Sequence, residues 1–547
     1  MTPSTFDPSR RYDRQVRLWG EEGQTSIGAT TVCVLGSDSL ATEILKSLVL
    51  AGIQSFHIVD DARVIPPDVG QNFFLHTSDI GRPRCQATLE KLTELNPSVS
   101  GSFSDQSATA LAHEDLEKLA GFSVVVAANQ TEDVETHFAG VLYPFGVPFV
   151  AIRTYGLLGT IKICIREHPI ANSHEENPRP DLRLDVPFPR LQDFIRETIL
   201  EDMTLEQLRH TPYILLHFKA LEAFRKGRND AEAFPESYAE RREIQRILRD
   251  FRRAADEESG GGGSKDSENF DEARSAVTRA FQRTTIGESV KSVLSDAQSS
   301  TSTQPFWLIC EALRRFVSAS GGVLPLRGTL PDMTSDSARY TRLATLFHEK
   351  ALQDAQEVLR LTRIVEKERG VGDVISDEMC YRFCKNADRI MVQRGEILDY
   401  HREFERIIEK IREIPIENEE NDKKVDMTTW MLLMRAVGRF RKEKGRFPGT
   451  NGVPASIDAL DLKKRVDAMV KEVVKTDADL SLILSHISDQ AMSEMCRFGA
   501  AELHVISSLV GGIAAQEIIK LATNQYVPLD NTFIFDGHTQ ESTTFKL

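Results

Sequence analysis

Apolar residues recur along the first third of the chain in two alternating rhythms. Residues 30–36 (TTVCVLG) form a short β-branched run that closes on glycine, the pattern of a strand buried on both faces of a parallel sheet. In the next stretch Ile44, Leu45, Leu48 and Val49 fall at helical spacing. Asp38 or Ser39 stands where a side chain caps a helix start, and Gly52 where a left-handed residue ends one. Residues 55–60 (SFHIVD), 122–129 (FSVVVAAN) and 148–154 (PFVAIRT) read as further strands, and 160–167 (TIKICIRE) as an antiparallel addition. Strands alternating with helices predict an α/β fold, a Rossmann-like doubly wound sheet.

Beyond residue 167 strand-like runs become rare and charged amphipathic helices take over. Between positions 340 and 366, Leu343, Phe347, Ala351, Ala355, Val358 and Val365 make one apolar stripe, the face a helix turns toward a core. Residues 254–263 (AADEESGGGG), acidic and then pure glycine, predict a flexible tether or a disordered stretch. Residues 417–424 (ENEENDKK) read as a charged loop and 299–304 (SSTSTQ) as a solvated turn. The α/β signal returns at 502–523, a helix with Ile506, Leu509, Ile513 and Ile518 on one side. Its Gly511, Gly512, Ala514 and Ala515 would let another backbone approach closely. Residues 532–537 (TFIFDG) form a terminal strand. There is no internal repeat. The layout predicts one discontinuous sheet domain, residues 1–168 and 495–547, carrying a large α-helical insertion over 169–494.

Size and charge narrow the classes. A chain of 547 residues exceeds one ordinary core, so several domains are expected. The net charge of −15 argues against a general nucleic-acid binder, which needs a basic face, and leaves room for basic protein partners. The opening MTPSTFDPSRRYDRQ has no apolar core of a signal peptide, and no stretch reads as the ~18–20 apolar residues of a membrane span. The cysteines at 33, 85, 164, 310, 380, 384 and 496 are too scattered for a disulfide framework. Cys380 and Cys384, one helical turn apart, lack the second pair or histidines that a metal site takes. The expectation is an intracellular, reduced, soluble protein with no metal, nucleic acid or membrane partner.

The first strand–turn–helix unit is where a nucleotide phosphate rests in folds of this kind, on N–H groups at the positive helix end. The usual spacing is G-x-G-x-x-G; here it is Gly36-Ser37-Asp38-Ser39-Leu40-Ala41. Asp38 occupies the second glycine position, and a carboxylate there repels phosphate. The expectation is a Rossmann-like sheet without a working phosphate loop.

Several motifs in order resemble the activating enzymes of ubiquitin-like proteins. Residues 12–24 (YDRQVRLWGEEGQ) look like that family's N-terminal signature, and 510–520 (VGGIAAQEIIK) like its C-terminal one. Residues 72–84 (NFFLHTSDIGRPR), 94–103 (ELNPSVSGSF), 153–163 (RTYGLLGTIKI), 324–333 (LPLRGTLPDM) and 496–504 (CRFGAAELH) are similar to the regulatory subunits of neddylation activating enzymes in particular. The likeness runs over nearly the whole chain.

That resemblance implies a pseudo-adenylation domain. The catalytic halves hold ATP with a ribose-binding Asp, an Asn, an Arg, a Lys and a magnesium-binding Asp. The matching positions here are Ala62, Asp68, Gln71, Arg84 and Asn129. With Gly36 alone left of the glycine loop, the resemblance implies no cofactor held by this chain, and ATP with magnesium in a catalytic partner subunit. It further implies that Arg14 reaches in trans to the partner's ATP, where a guanidinium neutralises charge as pyrophosphate leaves. The plain alternative is that Arg14 pairs with Asp13 or with an interface carboxylate. Arg153, at a strand end, reads more readily as a structural hub than as a functional residue. The extended segment Arg327, Gly328, Thr329, Leu330, Pro331, Asp332 and Met333 is implied to contact the partner; the alternative is an ordinary interhelical loop.

In the family the thioester-forming cysteine belongs to the partner, and the helical insertion is half of a catalytic-cysteine-type domain without that cysteine. The implied partners are the catalytic subunit in a heterodimer, a Nedd/Rub-type ubiquitin-like protein and its conjugating enzyme. The implied outcome is neddylation of targets such as cullins, in cytoplasm and nucleus. Rival readings are a sumoylation counterpart, which lacks so large an insertion, and an NAD-dependent oxidoreductase resting on Asp60 after the second strand. A third is a scaffold that has lost its enzyme association.

Overall fold

The computed structural model describes residues 11–112, 116–174, 179–258, 268–415 and 425–547. An eight-stranded sheet organises the chain's two ends. β1 (Thr31–Leu35), β2 (Ser55–Val59), β3 (Ser100–Ser104), β4 (Val124–Ala128) and β5 (Phe149–Tyr155) run parallel. β6 (Leu158–Cys164) returns antiparallel to β5. The strands Thr532–Asp536 and Glu541–Phe545 complete that edge, so the order is 541–545, 532–536, β6, β5, β4, β1, β2, β3. The alternation in β1 shows why the strand is apolar throughout. Val32 and Val34 join one core with Ile44, Leu48, Val126 and Ile518. Cys33 and Leu35 join another with Val125, Phe138 and Phe149 on the opposite face.

Two edge strands were not visible as patterns. β3 reads SGSFS and is largely exposed; it fits beside β2 because a Cβ on Gly101 would stand 2.3 Å from Leu89 Cδ1 and 2.7 Å from Phe56 Cζ. Glu541–Phe545 is polar and pairs only with Thr532–Asp536, so the strand expected to be terminal is not the last.

The helix His504–Thr523 packs on the helix Ser39–Ala51, burying Ile506, Val510, Gly511, Ala514 and Ile518. A Cβ on Gly511 would meet Glu43 Cβ at 3.1 Å and the Ile44 nitrogen at 3.3 Å, whereas Gly512 faces open space. Leu509, expected on the buried side, is exposed. By length and composition this one helix among the described residues could cross a membrane, contrary to the expectation that no stretch would. Its apolarity has a local cause, since it lies in the core of the sheet layer.

The chain divides into two compact units, Met1–His168 with Gln393–Leu547, and Pro169–Val392. The expected insertion therefore ends near 392 rather than 494. The helices Tyr400–Glu413, Met427–Lys444, Ala455–Val473 and Asp489–Phe498 bury their stripes against Tyr155, Leu158 and Ile534 of the sheet, and Trp430 Nε1 donates to Asp536 at 3.1 Å. Helical periodicity says which face is buried, not against what.

The second unit is helical. Its longest helix, Ser337–Glu368, is capped by Asp336, and buries Leu343, Phe347, Ala355, Val358 and Val365. On the same helix the buried carboxylates of Asp354 and Glu366 each accept a loop N–H, from Leu326 and Ile375, at 3.0 Å. Part of the expected tether is also helix. Residues 254–258 end the helix Tyr238–Glu258, in keeping with the helix propensity of Ala and Glu; residues 259–263 and the charged loop 417–424 lie outside the described residues.

Candidate functional site

The turn after β1 brings the sequence-predicted cradle together. Gly36 takes φ +110°, and a Cβ there would press on the Ala128 carbonyl oxygen at 3.0 Å. Asp38 caps the helix Ser39–Ala51, its Oδ1 accepting from Ala41 N at 2.9 Å. Its Oδ2 accepts from Asn129 Nδ2 at 2.9 Å. Asn129 Oδ1 in turn accepts from Thr154 N at 2.8 Å, which fixes the amide's orientation and engages the one oxygen a metal ion could use. Asn129 itself sits at φ +51°.

Arg84 stands at the centre of the remaining degenerate positions. Its Nη2 donates to Asp60 Oδ2 at 2.9 Å and its Nη1 to Asp68 Oδ1 at 3.2 Å. Ser37 Oγ also donates to Asp60. Asp60 Oδ1 accepts the Ala62 N–H at 3.1 Å, and Asp68 Oδ2 the Ile65 N–H at 2.9 Å. Gln71 contributes its carbonyl, which accepts from Ser39 Oγ at 3.0 Å. Burial alone would lower the Arg84 pKa, but Asp60, Asp38 and Asp68 hold it above its ordinary value. Asp60, on which the oxidoreductase reading rests, is thus engaged by the chain's own arginine.

One residue of the site was not foreseen. Glu502 Oε2 accepts the Ser39 N–H at 3.1 Å, on the first turn of the helix whose positive end would receive a phosphate. Burial, with Asp38 close by, pushes the Glu502 carboxyl up to about 8, and burial also raises Asp38. A place that holds a proton on Glu502 near neutrality is already averse to one more negative charge. Among the described residues no group of three or more His, Cys, Asp or Glu is arranged to hold a metal ion. The residues present do not fit a magnesium nucleotide: its phosphate position carries a carboxyl, and its cation ligand is an amide already bonded.

The N-terminal signature separates anchors from an exposed arginine. Trp19 is buried, and Tyr12 OH accepts from Asn96 Nδ2 at 2.9 Å. Arg14 is exposed, and Asp13 pairs with Arg17 at 3.0 Å, so of the two alternative partners for Arg14 the one within this chain is engaged elsewhere. No ion pair or side-chain hydrogen bond joins Arg14 to another described residue. Arg153 forms a buried hub, with Nε to Glu135 Oε1 at 2.8 Å, Nη2 to Glu135 Oε2 at 2.5 Å and Nη2 to Tyr400 OH at 3.3 Å.

In the second unit Arg327–Met333 is irregular, as its prolines and glycine predict. Gly328 takes φ +78°, where a Cβ would stand 2.6 Å from Ala351 Cβ. Arg327 pairs with Asp388, and Leu330 and Met333 pack on the core; Thr329 and Asp332 are the residues of this segment most open to solvent. All seven cysteines are buried. Desolvation pushes Cys85, Cys164 and Cys496 up to about 11, the opposite of an activated thiolate.

A family model described as the ThiF family matches residues 12–547. A NEDD8-activating enzyme E1 regulatory subunit of Caenorhabditis elegans is 74% identical over 541 residues, covering 99% of each chain. The protein of that name from Gallus gallus is 36% identical over 543 residues, covering 98% of each. The Arabidopsis thaliana subunit AXR1 is 31% identical over 553 residues, covering 100% of this chain and 97% of its own length. With likeness at this level from end to end, the chain belongs to the ThiF family and, within it, to the NEDD8-activating enzyme E1 regulatory subunits.

Proposed function

We propose that this chain is the regulatory half of a heterodimeric activating enzyme for a NEDD8-type ubiquitin-like protein, and that it does not adenylate by itself. The observation that carries this reading is the closed cradle: Glu502 on the helix start, Asp38 bonded to Asn129, and Arg84 engaged by Asp60 and Asp68. The catalytic partner then supplies ATP and magnesium binding and the thioester cysteine. This chain contributes Arg14 to the partner's site, and its helical unit walls one side of the cleft around the thiol. The conjugating enzyme takes the modifier onward.

Exposed apolar residues of the sheet unit support a pairing face. Phe73 is 78% exposed and Val505 75%, and the Phe73 ring lies 6.1 Å from that of His504. Patches of this kind mark protein interfaces. The segment Arg327–Met333 would add a second contact through Thr329 and Asp332. An NAD-dependent oxidoreductase is not favoured, because Asp60 is bonded to Arg84 and Ser37.

Two measurements test the reading. Calorimetry of the lone chain with ATP, with and without magnesium, is expected to show no uptake that requires the metal; tight, metal-dependent uptake would overturn it. In the purified heterodimer, Arg14→Ala is expected to lower ATP–pyrophosphate exchange on the order of 10²-fold, as for loss of one charge stabiliser, while the subunits still co-purify. An unchanged exchange rate would remove the trans role.

A further inference from the structure

The second unit contains a cavity of about 160 Å3 whose walls come from four separate stretches of chain. Six cations line it, Arg179, Arg183, Arg279, Arg283, Arg327 and Lys385, against the two carboxylates of Asp181 and Asp388. In a chain whose net charge is −15, such a concentration of positive charge in one concavity is a local feature that the composition opposes.

The two aspartates are spoken for. Asp181 holds Arg183, its Oδ1 accepting from Nε at 2.8 Å and its Oδ2 from Nη2 at 3.1 Å. Arg183 is buried, also donates to the Leu324 carbonyl at 2.7 Å, and is kept in the left-handed region at φ +53°, a conformation that a non-glycine residue holds only where its surroundings fix it. Asp388 pairs with Arg327. These ion pairs settle the charge of two of the six lining cations. Arg179, Arg279, Arg283 and Lys385 are exposed, and among the described residues no third carboxylate lines the cavity, although Asp185 just outside it accepts from the lining Thr284. Outside the cavity Arg283 leans on Glu236. Arg179 and Lys385 have no ion-pair partner among the described residues.

Guanidinium groups present forked donors that match phosphate oxygens, and a concave wall of one sign concentrates the field on whatever enters. A concavity of this volume, open on one side, suits a compact, multiply charged anion. Among the described residues no Phe, Tyr, Trp or His lines the walls, so none of them offers a stacking surface to a nucleobase.

We propose that this cavity is a binding site for a small polyphosphorylated anion, one that carries two or more phosphoryl groups and no aromatic base. The site lies wholly in the second unit and shares no residue with the cradle, so it stands whether or not the trans role of Arg14 does.

The test is calorimetric titration of the full chain with inorganic tripolyphosphate, orthophosphate, ATP and a glutamate-rich peptide at low and moderate salt. Tripolyphosphate is expected to bind one-to-one, to weaken as salt rises, and to exceed orthophosphate by about tenfold or more. ATP should bind no tighter than tripolyphosphate. Arg179→Glu with Lys385→Glu should weaken tripolyphosphate by about tenfold or more. Lys463→Glu with Lys471→Glu, the same change in net charge on the other unit, should leave it unaltered. If the double reversal lowers the thermal midpoint of the free chain, Arg179→Gln with Lys385→Gln replaces it, with a loss of several-fold expected. Absence of tripolyphosphate binding would overturn the assignment. So would tighter binding of ATP, equal loss in both double variants, or binding of the peptide alone.

Discussion

The cradle after β1 and the basic cavity of the second unit are both crowded with charge, yet they differ in how that charge is settled. In the cradle every charged group finds a partner inside the chain. Arg84 is held by Asp60 and Asp68, Asp38 by Ala41 and Asn129, and Glu502 by the Ser39 N–H. In the cavity two floor arginines are matched by aspartates, and the rim cations meet no further carboxylate among the lining residues. The number of charged residues therefore does not mark a ligand site. A set of charges satisfied internally is structure, because a ligand must first displace the partners already there. A concavity in which cations such as Arg179 and Lys385 lack an ion-pair partner among the described residues is poised for an outside ion.

The largest effect should come from opening the cradle at its centre. Arg84→Met removes the cation that Asp60 and Asp68 share and leaves carboxylates without compensation. Breaking a largely buried pair by deleting one partner costs about 3–5 kcal/mol, so the urea midpoint should fall steeply with the slope unchanged. A loss below about 1 kcal/mol, the range of an exposed pair, would mean that the network is not what holds the cradle shut. Asn129→Asp comes next. It restores the residue type of a magnesium ligand, but it turns the donor facing Asp38 Oδ2 into a second acceptor with like charge. A loss of about 1–3 kcal/mol is expected for the unmade bond, with no gain of magnesium-dependent ATP binding. Recovered binding would show that this one substitution, rather than the closed cradle as a unit, excludes the nucleotide.

Much of this layer was legible in the sequence because its signals are local. The β-branched runs around Val32, Val125 and Val150 gave strands, Asp38 gave a cap, and Gly52 gave a left-handed stop at φ +84°. What escaped were relations between distant residues. Glu502 lies 463 positions from Ser39, and no spacing rule connects a carboxyl to a helix start so far away. β3 escaped because SGSFS has no apolar alternation; only the approach of Leu89 and Phe56 to Gly101 makes it a strand. The domain boundary at 392 escaped because the stripes of the helices after it look the same whether they pack on helices or on Leu158 and Ile534. The basic cavity escaped for a similar reason, since its cations are scattered from Arg179 to Lys385 and gather only in the fold.

Glu502 supplies a smaller, pH-dependent contrast. Its carboxyl is held near 8 in the folded chain against an ordinary 4.5, so between these values the folded state keeps a proton that the unfolded chain has released. Stability then falls as pH rises from about 5 toward 8, because the unfolded state binds fewer protons. Glu502→Gln mimics the protonated form and removes this slope. The variant should match the parent near pH 5 and exceed it near pH 8, by on the order of 1 kcal/mol once partial exposure is discounted. Thermal midpoints of both proteins across this range check the sign. A parent that gains stability from pH 5 to 8 relative to the variant would show that the helix end welcomes the anion, and would reopen the cradle to phosphate.

The smallest effect belongs to the other side of the contrast. Arg179 is exposed at the cavity rim with no ion-pair partner among the described residues, so Arg179→Gln breaks no ion pair among them and orphans none of their carboxylates. Surface substitutions away from caps and cores stay within about ±0.5 kcal/mol, and relief of repulsion among neighbouring cations biases this one toward a slight gain at low salt. That gain should vanish as salt is raised and the repulsion is screened, whereas the Arg84→Met loss, arising inside the fold, should persist. The two salt series together separate charge that builds the protein from charge that it carries in reserve. A salt-insensitive loss at Arg179 comparable to that at Arg84 would place both in the first class and erase the distinction.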